Sequence, residues 1–177
     1  MPDIFVEDGS NVTNANSYVD VAFLDTYAAN RGLTLPTDIA DKQVMLIKAF
    51  DYLEGRRSEF RGSKVTETQS NQWPRQNVCI DNVLLDSATI PEELKKAQAQ
   101  LVVEQQNGVN LFPAPITLSD RGLTTKIRLG PMEKTFSDRD RGVASSQGPV
   151  RIAAVEHFLR PLLNTGGSNG WKRTIRV

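Results

Sequence analysis

Residues able to do acid–base, nucleophilic or metal chemistry are thinly spread along this chain. The one histidine, His157, lies in a stretch of helical spacing with no nucleophile, carboxylate partner or further ligand signalled beside it. An imidazole can be a base or a metal ligand, but alone on a helix it reads as a structural residue. Cys79 has neither a second cysteine nor a local histidine, so it reads as a small buried apolar side chain, and an intrachain disulfide is excluded. The chain holds no G-x-x-x-x-G-K-[ST], G-x-G-x-x-G, G-x-S-x-G or H-E-x-x-H. Its paired carboxylates, Glu92–Glu93 and Asp138/Asp140, fall where helix caps and solvated loops put them. The expectation is a protein that is not an enzyme and uses no cofactor or metal.

Two stretches offer binding chemistry instead. Residues 55–75 hold Arg56, Arg57, Arg61, Lys64 and Arg75 against Glu59 and Glu67, a local charge of +3, with Phe60 and Trp73 among them. Cations interleaved with aromatics can bind a nucleic-acid strand by phosphate contact and base stacking. The favoured reading is that Phe60 and Trp73 pin a long loop to the core while the arginines pair with carbonyls and acids. A third is a positive face, between subunits or along a channel, that duplex DNA passes without sequence readout. The second stretch is the end of the chain. After the linker TGGSNG, an extended WKRTIRV places Trp171, Arg173, Ile175 and Val177 on one side and Lys172, Thr174 and Arg176 on the other. That is the pattern of a peptide that adds a strand to a partner's sheet edge. A frayed terminus is the alternative.

The elements that must position these residues are mostly helical. Ser17 reads as an N-cap for a helix at about 18–30, stopped by Gly32. Thr37 or Asp38 caps a second helix to about Leu53, whose stripe is Val44, Ile47, Ala49, Phe50 and Leu53. Residues 55–88 lack sustained periodicity and read as a long ordered loop. Thr89 and Pro91–Glu92–Glu93 start a third helix that runs to Gly108. TTKIRLGPMEKTFS alternates around Gly130–Pro131 and reads as a β-hairpin within 124–136. Its Arg128, Glu133 and Lys134 are candidate interface residues. A fourth helix starts near Pro149, with Val150, Ala153, Ala154, Phe158 and Leu162 close to one face. The expected fold class is therefore mainly α: a four-helix domain over 1–163 with a small hairpin, then a linker and extended tail over 164–177.

Lys+Arg and Asp+Glu are both 21 in 177 residues, so no global field draws nucleic acid or anionic membrane. The last seven residues carry +3, which leaves −3 on the rest. No run approaches the ~18 apolar residues of a membrane helix. The acidic start MPDIFVEDGS does not read as a secretory signal, and the single cysteine fits a reducing compartment.

The stretches IFVEDGSNVTNANSYVDVAFLDTYAANRG, AFDYLEGR with FRGSK, QSNQWPR and KIRLGP occur here in that order. Together they resemble a family of tailed-phage head–tail connector (adaptor, head-completion) proteins, many relatives of which carry the label DnaT-like single-stranded-DNA-binding protein. VEDGSNVTNANSYV and QWPR are the most specific pieces. The resemblance implies a helical domain that assembles as a ring, commonly of twelve copies, under the portal vertex of the virion. Its partners would be copies of itself, the portal protein, a tail or tail-completion protein, and passing genomic DNA. In that setting Trp171–Val177 would dock on the portal. The rival reading is a single-stranded-DNA-binding protein of phage replication.

Overall fold

The computed structural model describes residues 2–113, 126–129, 132–135 and 150–164, the last two strands by backbone alone. They divide into two compact units, Met1–Val109 with Arg151–Val177, and Asn110–Val150. In the first unit, α1 is Val21–Ala29 and α2 is Ile39–Gly55. Four short strands follow: β1 Ser63–Lys64, β2 Arg75–Gln76, β3 Cys79–Ile80 and β4 Val83–Leu84. Then come α3 at Glu92–Gln106 and, beyond the second unit, α4 at Ala153–Leu159, which runs into a 3-10 turn at Arg160–Leu162. The second unit contains β5 Lys126–Leu129 and β6 Met132–Thr135, paired antiparallel with Arg128 opposite Glu133 and Ile127 opposite Lys134.

The helices begin and end for local reasons. Asp20, not Ser17, caps α1: its backbone is extended and its carboxylate accepts the Phe23 N–H at 2.7 Å. Ser17 is buried, and its hydroxyl donates to the Val19 carbonyl at 2.6 Å. Gly32, at φ 63°, turns the chain out of α1 in a conformation that costs other residues more. Asp38 caps α2 by accepting from Ala40 N–H at 2.9 Å. Pro91 stands at the cap of α3 with Glu92 and Glu93 facing the positive helix end, and no side chain caps it.

α3 is the hub, packed against α1, α2 and α4. Leu24 and Tyr27 of α1, Leu46, Phe50 and Leu53 of α2, Leu94, Leu101 and Val102 of α3, and Val155 and Leu159 of α4 form the core. Each such side chain contributes about 1.5–3 kcal/mol when fully buried. On α4 the buried face is Val155 and Leu159; Ala153 and Ala154 are exposed, because the helix starts four residues later than its Pro149 signal suggests. Val44, assigned to the core stripe of α2, is 39% exposed.

The mainly α expectation is corrected. The helices have only 9, 17, 15 and 7 residues, and residues 55–88 carry two antiparallel ladders rather than a loop alone. β1 pairs with β2 and β3 with β4, and with β5–β6 there are three separate two-stranded sheets among the described residues. The architecture is mixed α and β. Strands of two residues are too short to show alternation, so the periodicity that reveals longer strands was absent. The turn residues did carry a signal. Asp81 (φ 50°) and Asn82 (φ 66°) form a two-residue connection between β3 and β4, the left-handed pair that hairpins of this length favour.

Candidate interaction site

The N-terminal stretch is built around one buried carboxylate. Glu7 is fully buried, and its Oε1 accepts from the N–H groups of Gly9 and Asn11, both at 2.9 Å. Its Oε2 accepts from Val12 N–H at 2.9 Å and from the Asn71 side-chain amide at 3.3 Å. The loop that wraps this carboxylate needs left-handed backbone at Gly9, Asn11 and Asn14. At Gly9 a Cβ would stand 1.7 Å from the Ala88 carbonyl oxygen, so no other residue fits without backbone movement. The Asn71 contact joins the two most distinctive stretches, VEDGSNVTNANSYV and QSNQWPR, in space.

A second network completes that join. Gln98 of α3, fully buried, accepts from Tyr18 N–H at 2.8 Å and donates to Ser17 Oγ at 2.9 Å and the Leu46 carbonyl at 3.0 Å. The Tyr18 hydroxyl donates to Glu54 and accepts from Trp73 N–H at 3.3 Å, while Gln72 N–H reaches Glu54 Oε2 at 2.9 Å. Trp73 is fully buried, with its ring edge-on to Phe60 at 5.8 Å, and the Trp73–Pro74 peptide bond is cis. Burial pushes the Glu54 carboxyl above its ordinary 4.5, against the opposing bonds from Tyr18 and Gln72. The folded state therefore holds that proton more tightly than the unfolded chain does. The contribution of Glu54 to stability is full below pH 4.5 and falls as pH rises through the elevated value. Glu54→Gln should flatten this part of the profile, so its stability relative to wild type improves as pH rises above 4.5 in paired urea titrations.

The basic stretch is spent largely inside the molecule. The Arg56 side chain has no exposed surface; its guanidinium donates to Glu156 Oε1 at 2.5 Å and Glu59 Oε2 at 2.7 Å. Arg151 closes the cluster on the outside through Glu59 at 3.1 Å and Glu156 at 3.4 Å. Arg75, 7% exposed, donates to the carbonyls of Arg61 at 2.7 Å and Gly62 at 2.8 Å. Arg61 donates to Leu163 O at 2.9 Å and Cys79 O at 3.1 Å, and Lys64 to Gln69 O at 2.8 Å. Arg57 is exposed. Neither aromatic offers a stacking face, since Phe60 and Trp73 are both buried. Arg56 and Arg75 thus hold this segment together and could not meet a phosphate without opening it.

The exposed apolar groups lie elsewhere. Val83 and Leu84 of β4 are each 69% exposed, and Phe112 and Phe5 are 55% and 50%. Cys79 is exposed on β3, which corrects its expected burial. His157 is exposed, with its ring against Phe158 at 5.4 Å. Arg61, Ile80, Asp81, Arg160 and Pro161 line a shallow groove beside β3. Among the described residues no helix is long and apolar enough to cross a membrane, and no cluster of His, Cys, Asp or Glu is placed to hold a metal. Arg128, Glu133 and Lys134 are placed by strand register alone, and Trp171–Val177 lie outside the described residues.

No curated protein and no solved structure matches this chain. One family model, described as putative DnaT-like ssDNA binding protein, matches residues 2–177. The match takes in both motif-bearing stretches, the basic segment and the tail, so the chain belongs to this DnaT-like family.

Proposed function

We propose that the protein is a structural connector at the head–tail junction of a tailed phage. In this reading, copies of the chain close into a ring by heterologous contacts, twelve of them if the ring matches the portal as in the family it resembles. The ring sits on the portal protein, meets a tail protein on its other side, and surrounds the exit path of the DNA. The segment Trp171–Val177 docks on the portal, and the β5–β6 hairpin, with Arg128, Glu133 and Lys134, meets a neighbouring copy or the tail protein. Its place is the virion.

The observation that carries the reading is the use made of the basic stretch. Arg56, Arg61, Lys64 and Arg75 are bonded to groups of their own chain, and Phe60 and Trp73 are buried. A strand-binding groove needs such cations and rings free. The description of the family favours a second reading, single-stranded-DNA binding, for which Arg57 and Arg160 are exposed cations.

One pair of measurements separates the two. Mixed with purified portal, the protein should give a complex whose native mass contains a ring of copies. With a fluorescent oligonucleotide it should show only weak, salt-sensitive binding. Tight oligonucleotide binding together with failure to join the portal would reverse the conclusion.

A further inference from the structure

We infer that the outer edge of β4 receives this chain's own C-terminal segment, residues 171–177, as an added strand. Among the described residues β3 and β4 form a ladder with no third strand, and β4 presents Val83 and Leu84 to solvent at 69% each. A two-stranded ladder with apolar side chains outward is marginal alone and invites pairing.

The tail is rooted beside that ladder. Asn164 N–H donates to the Glu59 carbonyl at 2.6 Å, and its side-chain amide donates to Phe60 O at 3.1 Å. The Arg61 guanidinium holds Leu163 O at 2.9 Å and Cys79 O of β3 at 3.1 Å, so one side chain spans the tail root and the ladder. Thirteen residues follow Asn164. The six before Trp171 can reach roughly 20 Å at about 3.3 Å each, several times the ~4.8 Å between neighbouring strands.

The chemistry matches as well as the reach. Residues 79–88 hold the exposed Asp81 and Asp86 and no cation of their own, and the cations Arg61 and Arg160 lie in the groove on the β3 side. The tail brings Lys172, Arg173 and Arg176 and no acidic side chain, with Trp171 and Ile175 recurring at strand spacing. Backbone bonds would supply affinity, and the alternate apolar groups would cover Val83 or Leu84. A tether this short holds the segment at an effective concentration in the millimolar range, which favours the chain's own tail over a second copy's. The inference is independent of portal docking; a portal that takes the tail would draw it from this edge.

Hydrogen exchange on the full chain and on a chain ending at Gly170, without portal, tests it. The Leu85 N–H already donates to Val78 O at 2.8 Å, so the outer edge of β4 offers the Leu84 N–H, which should exchange about tenfold faster in the truncated chain, with α3 unchanged. In the full chain its protection should not vary with protein concentration. Leu84→Lys, at an exposed position, should keep the fold and lose the protection. Equal exchange in both chains would overturn the inference, and so would protection that grows with concentration, which assigns the edge to a second copy. Portal binding is measured separately, so the failure of one idea is distinct from the failure of the other.

Discussion

Arg56→Ala lowers the free energy of unfolding by about 3–5 kcal/mol, read from urea titrations followed by far-UV circular dichroism. The folded fraction keeps whatever affinity it has for portal or oligonucleotide. Arg56 is the one fully buried charge in the cluster with Glu59 and Glu156. Removing it leaves two carboxylates facing each other across the hole and severs the tie between the end of α2 and α4. Their side chains keep 24% and 26% exposure, so water recovers part of the loss and the effect belongs at the lower end of that range. Arg151→Ala, at 58% exposure, should cost no more than about 1 kcal/mol.

The same cluster sets a pH dependence opposite in sign to that of Glu54. Desolvation raises the Glu59 carboxyl, but its bonds to Arg56 and the nearby Arg56 and Arg151 charges outweigh it and hold the group below 4.5. Its contribution is present above 4.5 and is lost as pH falls through the depressed value. The gap between wild type and Arg56→Ala should therefore narrow in acid. A gap that does not change with pH would show that the lost packing of Arg56, not its charge, decides the outcome.

Trp73→Ala should cost about 3–5 kcal/mol, with Trp73→Phe well below that. Trp73 is among the largest fully buried side chains and stands edge-on to Phe60. Its neighbours are the backbone bonds of Gln72 and Trp73 to Glu54 and Tyr18, which cannot collapse into the hole without breaking. The indole Nε1 is buried with no hydrogen-bond partner, so the variant sheds one unsatisfied donor, and the cost reflects lost volume rather than a lost bond. Calorimetry of the two variants against wild type checks the order. A Trp73→Ala protein as stable as wild type would show that QWPR is not the pin described above.

The helices were readable because their signals are local. The spacing of Leu24, Tyr27 and Ala28, the Asp38 cap and the Pro91–Glu92–Glu93 start each act within a few residues. The anchoring of residues 55–75 by Phe60 and Trp73 was also legible, because large aromatics in an irregular segment have few other uses. What sequence hid depends on partners far along the chain. Glu7 looks like any surface acid until Asn71 and three loop amides surround it. Arg56 looks like a free cation until Glu156, one hundred residues on, reaches it. Cys79 was misplaced because burial is decided by what packs over a residue, not by its type, and Ser17 lost the cap to Asp20 because the helix starts three residues later.

The bonds that fix Leu163 and Asn164 to residues 59–61 also determine how the chain would carry tension. A pull on the C-terminal end is met first by the short strand-like register between Phe60 and Leu163 and by the single bond from Arg61 Nε–H to the Leu163 carbonyl. Behind them stand Phe60 and Trp73, seated in the core. A load on the tail therefore reaches the centre of the molecule without first unwinding α4.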